Sequence, residues 1–183
     1  MNDTVKADLS LSARDFLEIV WPAVSDAVGG GIIYPVESVS SDGFAKDLDA
    51  LSGIDAWQQT QGQMRGIASR VQRTDKSWGT FTIRWRRSSG ARTEYEKRLD
   101  AIRVGRGFLF PHLTIQAYVS VPEPRTLIAA GVVRTQDLIL YVHDGKVGDD
   151  YEIDTNKNDG NQFAVVSWEK LISAGIKCLV ITP

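Results

Sequence analysis

The chain has 183 residues, of which 43% are hydrophobic and 24% are charged, and its formal net charge is −2. This length and composition exclude wholesale disorder and predict one domain, residues 1–183, with a buried core. Cys178 is the single cysteine, so an intrachain disulfide is excluded, and its apolar neighbours predict a small buried residue. No apolar run approaches the ~20 residues that a membrane span requires, so we expect a cytoplasmic protein without a membrane partner.

The net charge hides an uneven distribution of charged residues. Residues 65–106, here called the basic band, hold twelve Lys and Arg against four Asp and Glu, whereas the rest of the chain holds nine basic and nineteen acidic residues. A band of this kind is the electrostatic footprint of a surface that faces a polyanion. The alternative is a set of solvated strand and helix faces that are rich in Arg.

The first predicted elements are a helix and a strand. Leu9 to Val28 carries apolar residues at the helical period, and Pro22 inside this pattern is expected to kink or split the helix. After three glycines, Ile32 to Val39 is typical of a strand that Pro35 places at an edge or a bulge. The polar and acidic residues 40–50 predict a loop.

Three further strands are expected in the middle of the chain. The first covers residues 53–57 and ends near Asp55, the second runs from Met64 to Arg73, and the third runs from Trp78 to Arg87. In the third strand apolar and polar residues alternate, which predicts one buried and one solvated face. The buried face would hold Phe81, Ile83 and Trp85, and the solvated face Thr82, Arg84 and Arg86.

Helices and strands alternate in the remainder. Thr93 to Val104 predicts a helix, because Thr93 and Glu96 have the spacing of a capping box. The later segments predict a strand at His112–Val121, a helix at Thr126–Val133, a strand at Asp137–His143, a loop at Asp144–Gln162, a strand at Phe163–Val166, a helix at Trp168–Ala174 and a strand at Cys178–Ile181. This order predicts an α/β fold with a mixed central sheet flanked by helices.

Two short segments carry a resemblance to a known family. Gly53-Ile54-Asp55-Ala56 ends a predicted strand in an acid, and Ile67-Ala68-Ser69-Arg70 places a base within the next strand. With the helix, strand meander, helix and strand around them, these segments resemble the PD-(D/E)XK nuclease superfamily over residues 9–121. The resemblance implies a restriction-endonuclease-like fold with C-terminal additions at residues 122–183, Mg²⁺ as cofactor and Asp55 as a metal ligand.

The second motif departs from the pattern of that superfamily. Ala68 stands where a second acidic ligand would be, and Arg70 stands where a lysine would position the attacking water. Arg70 keeps its proton and cannot serve as a base, although it can hold a phosphate by two parallel hydrogen bonds. The resemblance leaves Glu18 on the first helix or Glu37 on the following strand as the second ligand, and Gln72 as a donor of a carbonyl oxygen.

The basic band supplies the groups that contact phosphate in nucleic-acid-binding proteins. We expect Trp85 in the core and the arginines of the opposite face at the phosphates. The predicted nucleic-acid-binding residues are Arg65, Arg84, Arg86, Arg87, Arg92, Lys97 and Arg98. His112 and His143 lack metal-ligand spacing to each other or to a cysteine, so no zinc site is expected.

The leading functional hypothesis is a DNA-directed protein with a nuclease-like fold. In its catalytic version it is a Mg²⁺-dependent deoxyribonuclease with a rearranged site, with Asp55 and Arg70 as catalytic residues. The alternative is a catalytically inactive module that uses the basic band to bind nucleic acid or an acidic protein partner. A third hypothesis is an assembly protein with a homodimer interface over the Trp57 region. The sequence leaves open which of the three is right.

Overall fold

The computed structural model describes residues 11–36, 53–105 and 109–183. The first element, α1, covers residues 11–28 and contains a π-helical turn at Phe16–Val20, an α-helical turn at Trp21–Val24 and a 3₁₀ turn at Asp26–Val28. The helix therefore changes type next to Pro22, which has no amide hydrogen to donate to the carbonyl four residues before it. Glu37 and the loop expected at residues 40–50 lie outside the described residues.

A six-stranded sheet forms the centre of the molecule, in the order β1-β2-β3-β5-β6-β9. Its strands are β1 (Ile32–Pro35), β2 (Ala56–Thr60), β3 (Gln63–Arg73), β5 (Leu113–Val119), β6 (Leu127–Arg134) and β9 (Cys178–Ile181). β3 and β5 are parallel, and the other neighbours are antiparallel. The sheet is therefore mixed, as the sequence predicts.

A smaller sheet of three antiparallel strands has the order β4-β8-β7. Its members are β4 (Thr80–Arg86), β7 (Glu152–Thr155) and β8 (Gln162–Ser167). Three helices accompany it, namely α2 (Glu94–Val104), α3 (Thr135–Asp144) and α4 (Trp168–Ser173). Among the described residues no helix has the length and apolar character needed to cross a membrane.

The two faces of the six-stranded sheet have different coverings. On one face, α1 buries its apolar stripe, including Phe16 and Val20, against Ile115, Ala117 and other residues of the sheet. On the other face, the smaller sheet and α2, α3 and α4 pack around the fully buried Tyr118. The core thus has two parts separated by the central sheet.

Strand alternation decides which side chains point toward the smaller sheet. On β5, Ile115 and Ala117 pack with α1, so Gln116 between them faces the opposite way. Gln116 accepts a hydrogen bond from Thr82 of β4 (3.2 Å) and donates one to Gln72 of β3 (3.0 Å). Arg70 has the parity of Gln72, which places Arg70 in the space between the two sheets.

Two expectations about the later elements are wrong. Residues Leu127–Arg134, where a helix is expected, form β6, and Thr135–Asp144, where a strand is expected, form α3. β6 is covered on both faces, so its apolar run shows no alternation, and such a run cannot be told from a buried helix by its periodicity. In α3 the buried Leu138, Ile139 and Val142 have helical spacing.

Smaller differences concern β4 and the acidic segment before β8. β4 leaves the meander after β3 and joins the second sheet, and β7 lies within the segment expected to be a loop. Trp85 is half-buried and packs against Tyr95, with ring centroids 4.4 Å apart. The predicted capping box of α2 is confirmed, because Thr93 and Glu96 exchange hydrogen bonds between side chain and backbone.

A buried ion-pair cluster attaches α1 to the sheet and provides a test of the fold. Asp15, with 3% of its side chain exposed, accepts hydrogen bonds from Arg73 and Arg125, both at 2.8 Å. We expect Asp15→Asn to lower the free energy of unfolding by about 3 kcal/mol, because two charged groups lose a buried partner. Urea denaturation measures this change.

The control for this cluster is Glu123→Gln. Glu123 also pairs with Arg125 at 2.8 Å, but 66% of its side chain is exposed. We expect a change below about 1 kcal/mol, since exposed pairs contribute little. Equal effects of the two variants would contradict the assignment of Asp15 as the anchor of α1.

Candidate functional site

A cleft of about 360 Å³ opens between the two sheets and the first turns of α2. We call it the central cleft. β3 and β5 form one wall, β4 forms the second, and α2 with residues 53–55 closes one end. The lining residues are Gly53, Asp55, Ala68, Ser69, Arg70, Thr82, Arg84, Arg87, Glu94, Lys97, Arg98, Thr114, Ile115 and Gln116.

Asp55 lies in this cleft, directly before β2 rather than at the end of a strand. Its backbone amide donates to the carbonyl of Ile67 (2.8 Å), and its Oδ2 accepts from the amide of Ser69 (2.6 Å). β2 does not pair with Ser69, so the carboxylate satisfies an amide that the ladder leaves open. The half-buried side chain is held in a fixed position on the cleft wall.

The capping box of α2 fixes a second group of charged residues. Because α2 begins directly after Thr93, Glu94, Lys97 and Arg98 of its first two turns line the cleft. Glu94 and Lys97 are three positions apart and lie on one helix face. Arg98 is only 5% exposed, and its Nη2 donates to the carbonyl of Gly53 at 3.3 Å.

A register shift near the end of β4 affects where the arginines of β4 and the following residue Arg87 point. The pairing of β4 with β8 shifts register between Arg84 and Arg86. In a regular strand Arg87 would share the face of Trp85, but here both Arg84 and Arg87 line the central cleft while Trp85 packs against Tyr95. The bulge therefore brings two guanidinium groups to the same cleft.

Arg70 and Arg84 also share one aromatic neighbour. The guanidinium carbons of Arg70 and Arg84 lie 5.0 and 5.6 Å from the ring centroid of Phe163, within the range of a cation–π interaction. Although the Arg70 side chain is exposed, desolvation by the cleft lowers its pKa; nearby Glu94 opposes this shift and Arg84 adds to it. An arginine stays protonated at neutral pH despite such a shift.

The charges of the central cleft are unbalanced. Among the described residues, five that carry a positive charge line it, namely Arg70, Arg84, Arg87, Lys97 and Arg98, and two that carry a carboxylate line it, namely Asp55 and Glu94. In the described part of the chain, none of the four arginines forms an ion pair with a carboxylate. The Nε atoms of Arg84, Arg87 and Arg98 are buried and have no hydrogen-bond partner among the described residues.

Several predicted site residues lie elsewhere. Glu18 is exposed on α1, beyond the opposite face of the sheet, and pairs with Arg14 at 3.0 Å. Arg65 donates to the carbonyl of Val28 and to Gln63, and Arg92 pairs with Asp100 on the surface. Arg86 lines a neighbouring pocket instead of the central cleft. The cleft thus brings together Asp55, Arg70, Arg84, Arg87, Lys97 and Arg98.

The sequence interpretation missed two residues of this region. Glu94 could have been found, because it lies three positions before Lys97 in a helix whose start the capping box marks. Phe163 carried no comparable signal, since it meets Arg70 and Arg84 only through the pairing of β8 with β4. Gln72 is not among the lining residues of the cleft, and its side-chain carbonyl oxygen accepts a hydrogen bond from Gln116.

Asp55 and Glu94 are the carboxylates of the cleft that could hold a metal ion. The described residues contain no group of three or more His, Cys, Asp and Glu side chains that could hold a metal ion. Mg²⁺, however, is commonly held by one or two carboxylates together with water and substrate phosphate. Asp55 and Glu94 on one cleft therefore fit such an ion in number and in donor chemistry.

Comparisons of the chain with protein-family models, curated proteins and solved structures found no match. They therefore assign the chain to no family. The chemistry of the central cleft follows from its own side chains: four arginines without ion-pair partners in the described part of the chain, one lysine and two carboxylates.

The thiol of Cys178, which lies outside the cleft, provides a test of burial at β9. Burial raises the pKa of the Cys178 thiol to about 11, so very little thiolate exists at neutral pH. We expect the native protein to react with an aromatic disulfide reagent at pH 8 about 100-fold more slowly than the urea-unfolded protein, and the rate to rise up to about pH 11. Equal rates for the native and unfolded protein would contradict this.

Proposed function

We propose that the central cleft binds the phosphate groups of a nucleic-acid strand, with DNA as the preferred ligand. The observation that carries the proposal is that Arg70, Arg84, Arg87 and Arg98 line one cleft and that none of them forms an ion pair with a carboxylate in the described part of the chain. Cations held together without anionic partners repel each other. A phosphate has the charge to offset this repulsion, and arginine binds it in a bidentate geometry.

The carboxylates favour a hydrolytic site over a site that only binds. Asp55 and Glu94 repel a bound phosphate, so a cleft built only for affinity would be weaker for containing them. Their presence is explained if they hold a divalent cation next to the phosphate. We therefore propose a Mg²⁺-dependent deoxyribonuclease of restriction-endonuclease-like fold.

In this proposal α2 supplies the groups that β3 lacks. The resemblance places the second acid at Ala68 and the lysine at Arg70, and neither residue can perform that role. Glu94 and Lys97 come from the adjacent helix into the same cleft and have the required side chains. Asp55 and Glu94 would hold Mg²⁺, which when bound supplies an activated water and stabilises the charge that develops on the phosphate.

The other residues of the cleft would act by binding and orientation. Ser69 fixes Asp55 through the backbone amide that donates to Oδ2. Arg84, Arg87 and Arg98 would hold the phosphate oxygens from two walls, and Arg70 would steady the scissile group without transferring a proton. Lys97 would orient the attacking water by a hydrogen bond.

The catalytically inactive module remains the alternative, and the unpaired arginines support it equally well. In this version the same cleft binds nucleic acid, while Asp55 has the structural role of satisfying the Ser69 amide. We propose a cytoplasmic location for both versions. We also propose that both versions bind DNA in preference to RNA. The third hypothesis, assembly through the Trp57 region, draws no support from the unpaired arginines of the cleft.

Binding is tested with single-stranded and duplex DNA in buffer containing EDTA. We expect Arg84→Gln and Arg87→Gln each to weaken binding about tenfold, the usual loss for one charge-assisted hydrogen bond. The slope of log K against log salt should fall by about 0.7 per lost contact on single strands and about 0.9 on duplex DNA. Fluorescence anisotropy over a salt series measures both quantities.

Arg14→Gln is the matched control for binding. Arg14 is an exposed arginine on α1, which covers the opposite face of the sheet. The Arg14→Gln variant removes the same charge as the cleft variants but leaves the cleft unchanged. The affinity for DNA and the slope of log K against log salt should therefore equal those of the wild type. Equal losses in all three variants, or binding that salt does not weaken, would contradict the proposed phosphate site.

Hydrolysis is tested with the same DNA ligands in Mg²⁺ or Mn²⁺. We expect Asp55→Asn and Glu94→Gln to reduce cleavage by about 100-fold or more, because each removes a charged group of the reaction site. Binding in EDTA should be unchanged or stronger in both variants, since each removes a charge that repels phosphate. Gel assays of nicking and strand cleavage measure the first effect.

Glu18→Gln separates this site from the arrangement that the first helix would provide. Glu18 is exposed and lies away from the cleft, so this variant should keep its cleavage rate. A loss of cleavage in Glu18→Gln but not in Glu94→Gln would overturn the assignment of Glu94. An intact wild-type protein that binds DNA yet cleaves none of the substrates would leave the binding module as the function.

A further inference from the structure

A second pocket, of about 280 Å³, lies next to the central cleft. We call it the side pocket. Its lining residues are Arg86, Arg87, Ser88, Gly90, Gly160 and Gln162. Arg87 lines both the side pocket and the central cleft, so the two are adjacent and share this residue.

Two chain segments hold the side pocket open. The turn after β4 contacts the segment before β8, because the amide of Ser88 donates to Oδ1 of Asn161 at 3.2 Å. A Cβ added at Gly160 would lie 3.6 Å from the Cβ of Ser88, so the backbone of Gly160 lies close to the turn. A Cβ added at Gly90 would meet nothing within 4 Å, which leaves that side of the pocket open.

The charge of the side pocket is positive. No carboxylate is among its lining residues, and neither Arg86 nor Arg87 forms an ion pair within residues 11–36, 53–105 and 109–183. Asp159 lies in the neighbouring segment, and its two oxygens accept from the backbone amide and the side-chain amide of Asn161. Residues 156–161 hold one base and one acid, Lys157 and Asp159, whereas the pocket itself is lined by two arginines.

The β-bulge explains why the two arginines diverge. The register shift between Arg84 and Arg86 directs Arg84 to the central cleft and Arg86 to the side pocket, with Arg87 between them. A guanidinium group has five N–H donors, so Arg87 can donate to two neighbouring anions at once. A ligand with anionic groups at regular intervals along a chain would match this arrangement.

We propose that the side pocket binds the next phosphates of the strand that occupies the central cleft, so that the ligand is an oligonucleotide strand that continues past Arg87. This inference rests on the proposed function and specifies its ligand. One phosphate contacts Arg84, Arg87 and Arg98 in the central cleft, and the following phosphates contact Arg86 and the Ser88 hydroxyl. The protein thereby favours a chain of nucleotides over a single phosphodiester.

The test compares a short and a long ligand in EDTA, where no cleavage occurs. The short ligand is a thymidine dinucleotide with one phosphodiester, and the long ligand is a thymidine octanucleotide. We expect Arg86→Gln to weaken binding of the octanucleotide about tenfold, the loss of one charge-assisted contact, and to leave binding of the dinucleotide unchanged. Isothermal titration calorimetry measures both, and Arg14→Gln is the charge-matched control.

The outcomes separate the inference from the function on which it rests. If Arg86→Gln weakens both ligands equally, or neither, the side pocket is not part of the path and the inference fails while the central cleft stands. If Arg84→Gln and Arg87→Gln also leave both ligands unaffected, the proposed phosphate site fails with it. Arg86 is exposed, so its variant should keep the melting temperature of the wild type, which a thermal scan verifies.

Discussion

Hydrogen bonds among Thr82, Gln116 and Gln72 join the two sheets and fix their spacing beside the central cleft. Gln116, only 1% exposed, accepts from Thr82 of β4 and donates to Gln72 of β3. Buried amides of this kind must keep their hydrogen bonds, so neither sheet can shift without leaving a polar group unsatisfied. Apolar packing around Tyr118 stops beside this bridge, and the central cleft begins there.

The cleft assembled around this bridge holds positive charges that repel each other. Desolvation lowers the pKa of Arg70, and repulsion by Arg84 lowers it further. Both guanidinium groups lie near the ring of Phe163. The face of an aromatic ring attracts cations, which offsets part of the cost of keeping two of them together. In the proposed function, a bound phosphate would reduce the remaining repulsion.

Local sequence patterns predicted several elements, two of which, β3 and α2, line the central cleft. β3, β9 and α2 appear at or within a few residues of their expected bounds, because alternation, apolar character and the capping box are local signals. β6 and α3 were exchanged because both are rich in apolar residues, and burial on both faces of β6 removes the alternation that would identify a strand. Errors of this kind arise from tertiary burial, which the local pattern does not contain.

The sequence by itself determined that a basic residue, Arg70, lies within β3 and that cations concentrate in the basic band, whereas it placed Asp55 at the end of a strand and not directly before β2. Only the tertiary structure decided which acid joins Asp55. Glu18 is on the helix that covers the opposite face, whereas Glu94 enters the cleft because β4 leaves the central sheet and α2 follows it to the same side. Pairing between strands that are distant in the sequence fixes these positions. The spacing of residues along the chain does not reveal which strands pair.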